Sequence, residues 1–156
     1  MRLHVWEPVI MGNLEQDQQV WEQLRKNKAK YISLGTRKHD GAVVRTPVWF
    51  VVDGSDLIIT TESTSGKAKR IRNYPEIDLA ECNMRGRIGG ELITAAAQVM
   101  PTSVYADCEK LFIKKFKLMY KLMTMRGKKN DRNNPDNPDG GRIFIRISRT
   151  GFAPNE

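Results

Sequence analysis

Residues 43–75, VVRTPVWFVVDGSDLIITTESTSGKAKRIRNYP, decide how this chain is read. The run 43–52 is rich in β-branched and aromatic residues and ends on Asp53-Gly54, a dipeptide that turns a hairpin. The returning strand, 57–61, closes on Thr60-Thr61. Ser65 then caps a short helix over 66–73, and Pro75 stops it. Hydroxyls of Thr60, Thr61 and Ser65, the open amides of a helix start, and the cations Lys67, Lys69 and Arg70 all converge on one strand end. Such a cluster holds a phosphate. Gly66 lets an anion come close to the backbone. The plainer alternative for the same residues is an ordinary capped helix with a solvated basic face.

The same segment argues against a nucleotide hydrolase. Residues 61–67, TESTSGK, imitate the spacing of a phosphate-binding loop. Thr61 replaces its first glycine, however, and Ala68 stands where a hydroxyl would reach magnesium.

Outward from this core the chain alternates strands and turns. Residues 14–30 read as a helix and 31–36 as a strand, with Asp40-Gly41 turning the chain into 43–52. Pro47 lies inside that second strand and removes a ladder donor. The strand is therefore expected at an edge, bulged, or turned toward a ligand. Further strands are expected at 77–82, at 87–100 with a bend at Gly89-Gly90, and at 142–148, where RIFIRIS alternates. Residues 103–125 read as one long amphipathic helix with an apolar stripe and a lysine stripe, Lys110, Lys114, Lys117 and Lys121. Residues 127–141 read as a loop. Six antiparallel strands with few long connections imply a small closed or split barrel, plugged or flanked by helices.

The 156 residues suit one domain at 14–149, with an N-terminal extension over 1–13 and a tail over 150–156. Met11 is a second candidate start. A hydrophobic content of 40% and a charged content of 28% fit a globular protein, and no apolar run is long enough for a membrane span. The two cysteines, Cys82 and Cys108, form no framework and read as buried thiols in a reducing cytoplasm. The two histidines, His4 and His39, lie far apart, which argues against a zinc site. No nucleophile–base pair stands out, so no catalytic residue is assigned and any chemistry would belong to a bound cofactor. A net charge of +8 allows nucleic acid, a membrane surface or an anionic small molecule.

The order and spacing of several motifs resemble one family. These are Tyr31-Ile32-Ser33-Leu34-Gly35-Thr36, Asp40-Gly41, Thr46-Pro47-Val48-Trp49-Phe50, residues 65–73 with Pro75, and Arg85-Gly86-Arg87. Together they resemble the flavin-binding split barrels related to pyridoxamine phosphate oxidase, and within them the small deazaflavin-dependent reductases. The resemblance covers about residues 20–125. It implies a mainly β fold with flanking helices, a six-stranded antiparallel split β-barrel, and a homodimer with cofactor sites at its interface. It places Arg45, Thr46, Pro47, Val48 and Trp49 along the cofactor ring, and Thr60, Thr61, Ser65 and Lys67 at its phosphate. The cofactor would be coenzyme F-420 or FMN. The chain departs from the oxidases that make pyridoxal phosphate, with Gly66-Lys67 where those carry Arg-Lys and Phe50 where they carry lysine. The expected activity is hydride transfer to a small conjugated substrate. A non-catalytic cofactor carrier and a basic nucleic-acid-binding barrel are the competing readings. Lys69 and Arg72, three apart on one helix, are expected to share a face that could follow the acidic tail of F-420, which favours it over FMN.

Overall fold

The computed structural model describes residues 3–26, 28–131 and 141–149. Six antiparallel strands, β1 (Tyr31–Arg37), β2 (Val43–Asp53), β3 (Asp56–Glu62), β4 (Glu76–Cys82), β5 (Ile93–Val99) and β6 (Arg142–Ser148), form a closed barrel in the order β1-β2-β3-β6-β5-β4. The barrel and the strand assignments agree with the sequence reading, except that the fifth strand is shorter. Residues 87–92 leave the ladder around Gly89-Gly90, and an isolated bridge, Cys82 to Ile88, and a hydrogen bond from Gln16 Nε2 to Glu91 at 2.9 Å tie that stretch down.

Strand alternation builds two cores. One face of β3, Leu57 and Ile59, points into the barrel with Ile32, Leu34, Phe50, Ile77, Leu79, Ile145 and Ile147. The other face, Ile58, points outward with Val51 and Phe144 beneath Phe112, Phe116 and Tyr120. Each such Leu, Ile or Phe contributes about 1.5–3 kcal/mol by leaving water. Helix α1 (Leu3–Lys26) closes one part of the barrel with Trp21 and Leu24. Its Trp21 Nε1 donates to the Ser55 carbonyl at 3.0 Å, and Arg25 Nη2 donates to the Gly54 carbonyl at 2.7 Å, which fastens the β2–β3 hairpin. Gly54 has φ 61, as the two-residue turn between Asp53 and Asp56 requires. Helix α2 (Gly66–Asn73) buries Ala68 and Ile71 in the inner core.

The long helix expected over 103–125 is two helices. α3 (Tyr105–Phe116) and α4 (Leu118–Asp131) meet at Lys117, whose φ is 55. The stripe pattern runs on across this break, which is why periodicity alone did not reveal it. α4 also takes in residues 127–131, expected as loop, while 132–140 and 150–156 lie outside the described residues. Helix α1 runs through the expected boundary at residue 13. No helix among the described residues is long and apolar enough to cross a membrane.

Candidate functional site

The barrel ladder opens between β2 and β3. β2 and β3 pair from Asp53 with Asp56 up to Phe50 with Ile59, and no further. The next rungs would join Trp49 to Thr60 and Val48 to Thr61, but there β2 pairs only with β1 and β3 only with β6. A cleft of about 620 Å³ opens where the pairing stops. Pro47, Val48 and Trp49 form one wall, and Thr60, Thr61, Glu62, Ser65 and Lys67 the other. Pro47, the oddity of the second strand, thus sits where β2 has a neighbour on one side only, as a residue without an N–H must.

At the head of α2 the hydrogen bonds leave donors over. Thr61 Oγ1 donates to Ser65 Oγ at 3.1 Å, and the Ala68 amide donates to the same oxygen at 3.1 Å. Both lone pairs of Ser65 Oγ are then used, and its proton is free for an acceptor. The amides of Gly66 and Lys67 have no partner among the described residues, and the helix dipole favours an anion beside them. Lys67 is half-buried. Burial first, then the Arg70 guanidinium, hold its pKa below the usual 10.5, with Glu62 pulling the other way.

Arg142, the first residue of β6, enters the cleft from the far side. Its Nη1 donates to Thr60 Oγ1 at 3.2 Å, and Thr60 Oγ1 donates in turn to the Ile143 carbonyl at 3.0 Å. Neither Lys67 nor Arg142 has a carboxylate ion-pair partner among the described residues. Two cations without a direct ion pair among the described residues, with Glu62 the acid nearby, and a hydroxyl proton therefore line one space. This suits a dianionic phosphate.

The opposite wall is aromatic. Trp49 stacks on Phe116, with centroids 4.4 Å apart and planes 11° from parallel, and Tyr31 is tilted against it at 6.4 Å. Lys115 fixes this stack from behind. Its Nζ donates to the carbonyls of Ala29 and Phe50 at 2.7 Å each and lies 3.9 Å from the Phe50 ring centroid. Burial pulls its pKa down to about 8, while the two carbonyls and the ring face favour the charged form.

Other expected site residues lie elsewhere. Arg45, on the outer face of β2 with Pro47 and Trp49, makes a two-pronged ion pair with Asp78, Nη2 to Oδ2 at 2.8 Å. The pair bridges β2 and β4 across Gly35, whose neighbours in register are Arg45 and Asp78. A Cβ on Gly35 would overlap the Asp78 carboxylate, so the ion pair explains a glycine in mid-strand. Thr46 does not line the cleft, and its Oγ1 is buried with no partner among the described residues. Gly66, Lys69 and Arg70 line a second cleft on the other side of α2. Arg70 Nε donates to Thr36 Oγ1 at 2.7 Å, and a Cβ on Gly66 would come within 2.7 Å of its Nη1. Arg72, expected to share a face with Lys69, donates instead to the Ser63 carbonyl at 2.9 Å.

Comparison with known proteins addresses the fold. No protein-family model and no curated protein sequence matches the chain. Solved structures do match. A pyridoxamine 5'-phosphate oxidase-related, FMN binding protein from Nostoc punctiforme superposes with a TM-score of 0.52 at 14% identity, over 92% of this chain and 80% of that one. An F-420 reductase gives 0.52 at 18% identity, over 83% and 93%. HutZ, the heme storage protein from Vibrio cholerae, gives 0.57 at 11% identity, over 88% and 91%.

The chain has the FMN-binding split-barrel fold.

Within this split barrel, four lining residues had escaped the sequence reading: Tyr31, Glu62, Met123 and Arg142. Tyr31 and Glu62 carried a usable signal, because each adjoins a motif already singled out. Arg142 carried none, since 82 positions separate it from Thr60 and only the β3–β6 register brings it in. Among the described residues no group of His, Cys, Asp and Glu could hold a metal, and both cysteines are buried free thiols.

Proposed function

We propose that the cleft binds a flavin-type cofactor by its phosphate, and that the protein is an oxidoreductase moving a hydride between the cofactor ring and a small conjugated substrate. One observation carries this reading. Lys67 and Arg142, neither ion-paired with a carboxylate among the described residues, and the free Ser65 proton line the same cleft as Trp49, which stacks on Phe116. The bound ring would supply the redox chemistry. The chain binds and orients: Lys67, Arg142 and Ser65 would hold the phosphate, Pro47 and Trp49 would lie along the ring, and the aromatic wall would exclude water. Glu62 is the only acid among the lining residues, and no histidine lines the cleft among the described residues. Hydride transfer to a conjugated acceptor suits so sparse a set.

F-420 is the preferred cofactor over FMN, because a net charge of +8 suits an acidic tail. A homodimer with the sites at its interface is part of this proposal. The cleft is open on one side, and Leu118, Met119, Leu122 and Met125 expose apolar surface on the helix that brings Met123 into it. The free cysteines suit a reducing compartment, which we take to be the cytoplasm. A carrier without turnover is the second reading, favoured by the lack of an obvious proton donor. The nucleic-acid reading loses its best feature, because the lysine stripe is broken at Lys117.

The test is titration with FMN and with F-420, beside a DNA and RNA shift assay. Lys67→Ala should weaken cofactor binding about ten- to a hundredfold with the fold intact, as expected for one charge-assisted bond of roughly 1.5–3 kcal/mol. An unchanged dissociation constant would place the phosphate elsewhere, and salt-steep nucleic-acid binding without cofactor binding would sink the reading. Anaerobic reoxidation of the reduced cofactor against quinones and enones separates enzyme from carrier.

A further inference from the structure

Helix α2 stands between two clefts. Successive residues turn by about 100°, so Lys67 and Lys69 leave the helix on opposite sides. Lys67 faces the cofactor cleft, and Lys69 and Arg70 face a second cleft of about 470 Å³. The β1–β2 turn supplies its other wall with Arg37, Lys38 and His39. This volume lies within the range of small-molecule pockets, roughly 300–1,000 Å³.

The charges of this cleft are not balanced. Arg37 is matched by Glu76, Nη2 to Oε1 at 2.7 Å. Lys38 and Lys69 have no carboxylate partner among the described residues. Among the described residues Arg70 spends only its Nε, on the neutral hydroxyl of Thr36. The one acid in the lining, Asp40, accepts the Ala42 amide at 2.9 Å. One side of the cleft is aromatic. His39 Nδ1 and the Tyr74 hydroxyl share a hydrogen bond of 2.8 Å, and the two rings meet edge to face at 5.5 Å. That bond holds the Tyr74 ring at the rim, exposed, beside the cations.

We propose that this second cleft binds a nucleoside polyphosphate, with its phosphates on Lys38, Lys69 and Arg70 and its base against Tyr74. Three cations spaced around one hollow match several anionic groups better than one, and a ring beside them matches a planar base. The inference does not rest on the flavin reading, since the two clefts share no lining residue.

Calorimetric titration of the full chain at physiological ionic strength tests it, with ATP, pyrophosphate and inorganic phosphate as probes. ATP should bind saturably and more tightly than pyrophosphate, and pyrophosphate more tightly than phosphate. The double variant Lys38→Ala, Lys69→Ala should weaken ATP at least about tenfold. Its melting curve should be unchanged, because both side chains are exposed. Tyr74→Ala should weaken ATP and leave pyrophosphate alone. Lys67→Ala should change neither. The proposal is overturned if no probe binds saturably, or if Lys67→Ala abolishes ATP binding while the double variant keeps it. It is equally overturned if RNA alone binds, with steep salt dependence. Loss of F-420 binding in the double variant would also overturn it, by showing that the cleft holds the tail of the cofactor.

Discussion

Lys67 carries a cost in the free protein that a bound anion removes. Burial and Arg70 both disfavour its charge, so its pKa lies below 10.5. A phosphate against it favours the charged form and raises that pKa. The sign of the pH effect follows. Below the lowered pKa of the free protein Lys67 is already charged, and the proposed cofactor would bind at full strength. As the pH rises through that value, binding must take up a proton, and affinity falls until the pKa of the complex is passed. A series of dissociation constants from neutral pH to the ordinary lysine range should show this decline, and Lys67→Ala should flatten it. A decline that persists in the variant would trace the effect to another group.

At the scale of elements, the break between α3 and α4 is the feature with the clearest energetic mark. Lys117 has φ 55 and ψ −128, a region that only glycine enters freely, while its amide still donates to the Ile113 carbonyl at 2.8 Å. The break lets α3 lay Phe112 and Phe116 on the sheet while α4 brings Tyr120 and Met123 across from a new direction. Non-glycine strain of this kind costs about 1–3 kcal/mol, and glycine's extra unfolded-state freedom takes back about 0.5–1 kcal/mol. Lys117→Gly should therefore stabilise the protein by about 1 kcal/mol, a rise of roughly 2–4 °C in Tm. A fall in Tm by calorimetry would show that the Lys117 side chain contributes something the backbone argument omits.

For the whole molecule, what was legible in the sequence was what is local. The Asp53-Gly54 hairpin, the Ser65 cap and the alternation of β6 each depend on residues a few positions apart, and each is as read. The break at Lys117 has no glycine or proline to announce it. Arg142 and the division of α2 between two clefts depend on which strands become neighbours, so residue types in order could not reveal them. The gap between β2 and β3 has one more consequence. An open strand edge is a template on which another chain can grow a sheet. This protein carries such an edge inside the cleft between β2 and β3, next to Val48 and Trp49. Pro47, which offers no N–H, together with Lys67 and Arg142 makes that edge a poor template. Pro47→Val should make the ligand-free protein aggregate at lower concentration by light scattering, and saturating cofactor should reverse this. The ligand would then act as a stopper against self-assembly, and the cell's supply of cofactor would set how much of the protein stays in solution.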